Sequence, residues 1–285
     1  MASEIVANSD AQMTELSRIV LEEARPEYVA LNFCKIDSIE SVPGMVLKYT
    51  KTASTSNSGA ITDGTALSNT GLTPTSVSIT AAGVGTKGVV TKHSVVGSLI
   101  TLEHVAANFG RALANKIDLD VVTNYSNFSV VVGTSAAPAT VANYLSLIYN
   151  LEAANENVDM VAVFHQIQWD DMRVAIVAAS GAAYSNPGES PLGGIMNAAM
   201  AKSYKGTFFG VPVFIDSNVV TTSGNKDGAM YRANRAIPFV WKWMPTFEYV
   251  AAPEYPGWTV SAHAAYGTGE LFDGAGVLLR TTATA

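Results

Sequence analysis

The stretch "TLEHVAANFGRALANKIDLDVVTNY" (residues 101–125) decides how the chain is read. Leu102, Val105, Phe109, Leu113, Ile117 and Val121 recur at three- and four-residue intervals, which lines them up as one stripe of an α-helix. Thr101 stands where a cap is needed, and Glu103 in the first turn suits the helix dipole. At 1.5 Å per residue such a helix runs roughly 35 Å, enough to cross a small domain. Asp118 and Asp120 are two apart on it and do not face each other as an acid–base pair would. They read as its solvated face.

Upstream, "GMVLKYTKTA" (44–53) reads as a strand and "TSVSITAAGVGTKGVVTKHSVV" (75–96) as a second, longer one. The residues between are mostly Ser, Thr, Asn, Gly and Asp, with Ile61, Leu67 and Leu72 the large apolar exceptions. A polar loop this long is unusual in a compact domain and usually has work outside it. The expectation is a two-stranded arm that needs a neighbour to rest on, since a lone hairpin is barely stable in water. Residues 10–25 predict a short amphipathic helix, capped by Asp10, apolar at Met13, Leu16, Ile19 and Val20, and closed by Pro26. Its apolar face is narrow, so it too needs a surface.

Gly83, Gly85 and Gly88 have the G-x-G-x-x-G spacing of a dinucleotide fingerprint. That fingerprint requires a helix to start at the third glycine, with its N-terminus facing the pyrophosphate. Here the β-branched "VVTKHSVV" follows, so no cofactor is expected. The glycines read instead as flexible points in the returning strand of the arm, where valine at Gly83 and Gly85 would spare the fold and impair assembly.

Downstream, the pattern predicts a Gly/Ser/Ala/Pro linker (133–139), a helix over "ATVANYLSLIYNLEAANENV", a strand at "MVAVFH" and a helix over "QIQWDDMRVAIVAASG" stopped by Gly181. A loop follows at 184–194, then a strand pair or bent strand around Gly210 and Pro212, and strand-like alternation to the end. Helices and strands are partly segregated, which favours α+β over a parallel α/β sheet.

Charged residues form 14% of the 285-residue chain, with a net charge of −7, and the mean hydropathy is +0.21. Average soluble domains carry roughly 25% charge. A surface this poor in charge fits a subunit largely covered by other subunits. The acidic balance and the lack of a Lys/Arg cluster argue against binding nucleic acid by phosphate neutralisation. Neither long uncharged run, 64–86 or 121–151, has the ~20 continuous apolar residues of a membrane span. The N-terminus lacks the pattern of a signal or transit peptide, and Cys34 is the only cysteine, so a reducing cytoplasmic setting is expected.

No motif carries catalysis. His93, His104, His165 and His263 are scattered, without metal-ligand spacing. His165 stands near Asp170 and Asp171, but those aspartates begin a helix, where negative charge is favourable anyway. No serine stands in G-x-S-x-G, and Cys34 lies in an apolar setting typical of a small core residue. Phe239, Trp241 and Trp243 alternate along one strand face, which reads as packing.

The order of arm, loop, long helix, inserted globular region and final strands resembles the major capsid proteins of tailed bacteriophages, with their Hong Kong 97 fold. "GTALSNTGLTPTSVSITAAGVGTKGVVTKHSVVGSL…ALANKIDLDVVTNY" resembles the extended-loop-to-spine passage of the capsid family typified by phage N-four, and "GTFFGVPVFIDSNV" is similar to a late strand of these proteins. The resemblance implies an N-terminal arm (1–43), an extended loop (44–95), a spine helix with peripheral domain (96–130), an axial domain (131–235) and C-terminal strands of the peripheral domain (236–285). It implies pentamers and hexamers closing an icosahedral head around DNA held without sequence-specific contacts, assembled in the host cytoplasm, with portal and decoration proteins as partners. No charged helical N-terminal extension serves as a built-in scaffold, so a separate scaffolding protein is implied. Lys51, Ile61, Leu67, Gly83, Gly85 and Lys87 are the candidate inter-subunit contacts. The lysine–asparagine crosslink of some members has no marked partner here. An encapsulin-type shell is the alternative; a nucleotide-cofactor enzyme and a tail or fibre protein fit less well.

Overall fold

The computed structural model describes residues 14, 16–20, 28–52, 74–92, 102–135, 137–180, 203–219, 221–222, 224–252, 254 and 256–282. Asp10, Met13, Pro26, His93, Thr101, Gly181 and the 184–194 loop lie outside them.

The predicted long helix is α1 (Leu102–Thr123). It buries Leu113, Ala114, Ile117, Val121 and Val122, and the half-buried Val105 and Phe109 continue the stripe. Against it lie Tyr28–Cys34, whose middle is a single 3-10 turn, Ala30–Phe33. Burying a side chain such as Ile117 stabilises the fold by about 1.5–3 kcal/mol.

A four-stranded sheet has the order β1 (Lys35–Ser38), β11 (Pro238–Ala252), β12 (Gly257–Thr268), β4 (Ala82–Thr91), with β1 parallel to β11 and the rest antiparallel. A seven-stranded sheet contains β5 (Val131–Val132), β13 (Gly276–Thr282), β10 (Asn225–Arg232), β6 (Met160–Phe164), β8 (Val211–Ile215) and β7 (Tyr204–Phe208) in that order, with β9 (Thr221–Thr222) also on β10. The final strands therefore divide: β11 and β12 join one sheet, β13 the other.

Helices α2 (Val141–Ala153) and α3 (Gln166–Ser180) explain why "MVAVF" is apolar without alternation. Val161 and Val163 face the core shared with α1, while Ala162 and Phe164 face a second core with Tyr144, Leu147 and Leu151 of α2 and Trp169 and Met172 of α3. The same alternation holds in β10, where Tyr231 faces one core and Met230 the other. A strand covered on both faces has no polar side to show. Between β7 and β8, Phe209 (φ 48°) and Gly210 (φ 81°) form a tight turn of left-handed residues.

Two expectations change, and a third is met from within the chain. The single strand over 75–96 is two: β3 (Pro74–Thr80) pairs with β2 (Val46–Thr52) as a separate ribbon, and β4 pairs with β12. The switch occurs at buried Ala81, whose N–H donates to Met45 O at 2.7 Å. Phe239 and Trp241 are buried, with ring centroids 4.8 Å apart, but Trp243 is exposed, because register shifts on either side of it break the alternation. Residues 16–20 are helical and find their surface within the chain. Leu16 and Val20 pack with Phe247, Val260 and Ala262, and Ser17 Oγ both accepts the Phe247 N–H at 3.1 Å and donates to Phe247 O at 3.3 Å.

Candidate functional site

Ile61 and Leu67, at the centre of the 53–73 excursion, lie outside the described residues; the root of that excursion does not. β2 and β3 pair in continuous register from Val46 opposite Thr80 to Thr52 opposite Pro74. Ile79 packs on Ile39 and Val240, with Leu47, Tyr49 and Val77 around it, so the ribbon sits on the β1–β11 side of the four-stranded sheet. Tyr49 donates its hydroxyl to Asp37 Oδ2 at 2.5 Å, and Lys35 Nζ lies 4.7 Å from the Tyr49 ring centre. Burial, then the Asp37 carboxylate, pushes the Tyr49 phenol above its ordinary range. A side chain at Gly267 would meet Thr80 O at 2.6 Å, so the close seat of β3 on β12 requires glycine there.

Lys51 stands higher on the ribbon, its Nζ 5.1 Å from the centre of the Phe272 ring. Arg235 approaches the same ring at 4.4 Å and donates to Glu156 at 2.9 Å; Arg232 donates to Glu156 at 2.8 Å. Lys35, Asp159, Arg232, Arg235 and Phe272 line a cavity of about 320 Å³ at this corner. Its lining holds three cations, Lys35, Arg232 and Arg235, against one acid, Asp159, and both arginines are engaged by Glu156.

The other candidate contacts are on β4. Gly83, Gly85 and Lys87 are exposed and in register with Ala265, His263 and Ser261 of β12. This corrects their assignment to a returning arm strand: they belong to the four-stranded sheet. An added side chain at Gly83 meets nothing within 4 Å, whereas at Gly85 it would lie 3.0 Å from Ala262 O and from His263 Cβ. The pair therefore does not act alike. The structure separates Lys51, on the ribbon, from Gly83, Gly85 and Lys87.

His165, Asp170, Asp171 and Cys34 each have a structural partner. His165 Nδ1 accepts the Ile167 N–H at 3.2 Å at the start of α3, and burial, then Lys226, lowers its pKa. Asp170 pairs with Arg173 at 3.0 Å, and Asp171 accepts the Ala139 N–H at 3.3 Å. The Cys34 thiol is buried and donates to Ala30 O at 3.5 Å; burial raises its pKa. Among the described residues, no group of three or more His, Cys, Asp or Glu is placed to hold a metal, and no helix is long and apolar enough to cross a membrane.

Asp118 overturns its assignment to a solvated face: it is fully buried. Its Oδ1 accepts the N–H groups of Val29 (3.1 Å) and Ala30 (2.9 Å), and its Oδ2 accepts from Asn218 Nδ2 (3.2 Å). Asp120, half-buried, accepts from the Tyr266 hydroxyl at 2.7 Å and from Lys116. The missed signal was the row Ala114–Asp118–Val122, four apart and adjacent to the apolar stripe.

No family model matches the chain, and no curated protein matches it. Solved structures do. A protein of Mycobacterium phage Che8 aligns with a TM-score of 0.66 at 17% identity, over 88% of this chain and 90% of its own. The capsid of Cyanophage P-SCSP1u gives 0.64 at 12% identity, over 90% and 89%. The SrpI encapsulin of Synechococcus elongatus gives 0.63 at 10% identity, over 90% and 88%. The chain has the α+β fold of the Hong Kong 97 type, as these structures do.

Proposed function

We propose that the chain is the major capsid protein of a tailed double-stranded DNA bacteriophage, a structural subunit without catalytic function that closes into an icosahedral head. The observation that carries the reading is the ribbon: among the described residues β2 and β3 pair only with each other, they are rooted on the four-stranded sheet, and they lead toward the polar residues 53–73. A two-stranded excursion gains little stability alone and gains it from a neighbouring copy in a closed symmetric assembly. The likeness to capsids along about nine-tenths of the chain supports the same reading.

In this reading residues 1–43 are the arm, α1 is the spine helix, 131–235 is the axial domain at the five- and six-fold vertices, and β11 and β12 belong to the peripheral domain. The extended loop then ends at Thr80, with β4 counted in the peripheral sheet. Lys51, Ile61 and Leu67 are the loop's contacts with the neighbouring subunit. A net charge of −7 suits a wall that must not hold its genome, since phosphate binding would oppose both packing and release. A separate scaffolding protein and a portal complete the set of partners, and assembly takes place in the host cytoplasm.

Negative-stain microscopy of the chain expressed with its scaffolding partner tests the reading. Uniform icosahedral shells are expected; a monodisperse monomer that never assembles overturns it. The likeness to the SrpI encapsulin favours one second reading, a compartment shell. Particles carrying enzyme cargo in place of a genome select it.

A further inference from the structure

Asp118 is joined in the core by a second carboxyl group. Asp216, in the turn after β8, is 3% exposed. Its Oδ1 accepts the Asn218 N–H at 2.8 Å. Its Oδ2 is buried and, as a carboxylate oxygen, has no donor to accept from among the described residues. Asn218 ties the two groups together, its backbone N–H on Asp216 and its Nδ2 on Asp118 Oδ2, and two buried carboxylates so held cannot both be charged without a compensating cation. The groups that act on this cluster are Cys34 from the segment before β1, Tyr125 beyond the end of α1, Tyr231 from β10 and Asp118 itself. None of them is cationic.

We propose that Asp216 carries a proton donated in a hydrogen bond to Asp118, and that this proton is the pin of a joint fastening the 28–34 segment and the 216–219 turn to α1. Three N–H donors converge on Asp118, which identifies it as the charged member; Asp216, with its orphaned oxygen, is the acid. A cation fits this position poorly, because those same donors would face it. Burial, followed by the charge and hydrogen bond of Asp118, pushes the Asp216 carboxyl up to about 9, with the Asn218 N–H opposing.

The ordinary carboxyl value is 3.8, so between it and about 9 the folded chain holds a proton that the unfolded chain releases. Stability contributed by the joint therefore falls as pH rises through that window. Above about 9 the proton leaves, two buried charges face each other, and the joint opens. Burial holds Cys34, Tyr125 and Tyr231 above their own ordinary values, so their ionisation does not precede this loss.

Infrared spectroscopy and hydrogen exchange on the whole chain test the joint, with Asp216→Asn as the variant that keeps the shape and removes the proton. A buried carboxylic-acid band is expected at pH 7 in the wild type and not in Asp216→Asn. Between pH 7 and pH 10, protection of the Val29 and Ala30 amides should fall about a hundredfold beyond the intrinsic pH effect, because about two pH units of that span lie below the ionisation at about 9, and stay unchanged in the variant. Equal loss in both proteins overturns the proposal. If the variant fails to fold, the wild-type band alone decides: present at pH 7 and lost by pH 10 supports the joint, and absent at pH 7 overturns it. The outcome is independent of shell assembly.

Discussion

The hydroxyl of Tyr49, on the ribbon, donates to the carboxylate of Asp37, on the edge strand of the four-stranded sheet, at 2.5 Å. This bond and the Ile79 contact set the direction in which the ribbon leaves the body. Tyr49→Phe keeps the ring beside Lys35 and removes the bond. The expected cost is about 1 kcal/mol, below the usual range for a charge-assisted bond because the pair is partly exposed. Denaturant unfolding measures it, and hydrogen exchange should show faster opening confined to β2 and β3.

Gly83 and Gly85 should part company on substitution. Gly83→Val fills open space on a strand and leaves the thermal midpoint within about 2 °C of wild type, while Gly85→Val must displace the β12 backbone and costs about 1–3 kcal/mol. Equal losses at the two sites would show that strand propensity, not the approach of β12, governs this edge. Calorimetry of the single variants is sufficient.

Asp227 is 2% exposed and receives two bonds from Arg280, at 2.8 and 2.9 Å. Arg280→Met leaves that carboxylate buried and unpaired, with an expected loss of about 3 kcal/mol. Adding Asp227→Asn to the same chain should recover part of the loss. A double-mutant cycle in urea separates the pair from its desolvation.

His165 holds the first turn of α3 through an unprotonated Nδ1, and its pKa is lowered by burial and by Lys226. A histidine whose folded pKa lies below its ordinary value of 6.5 binds its proton more readily when unfolded, so stability falls as pH drops below about 6.5. His165→Asn keeps a capping oxygen without the titration. The wild-type midpoint should fall more than the variant's between pH 7 and pH 5.

The parts legible in the sequence are those governed by local period. The stripe on α1, the helix–strand–helix run through α2, β6 and α3, and the turn at Gly210 all express spacing and backbone preference. Exchange of partners between β3 and β4 left no such trace: Ala81 is neither Gly nor Pro, and the strand pattern passes through it unbroken. The displacement of Trp243 depends on register shifts against β12, which a single strand does not encode. Asp118 was misread because a charge on a helix is usually solvated, whereas here its partners come from residues 29, 30 and 218. The ribbon was evident from its polar middle, while its anchor, Tyr49 on Asp37, required the two strands to be brought together in space.

Ser17 has a consequence for how the chain behaves at high concentration. Beyond Trp241, β11 has no strand partner on its outer side among the described residues, and such an edge invites another copy to add a strand. The serine hydroxyl occupies both hydrogen-bonding groups of Phe247 at once, as a neighbouring peptide would, but offers no backbone for a further strand to extend. At Phe247 the edge therefore has no free N–H or C=O with which an added strand could begin its ladder.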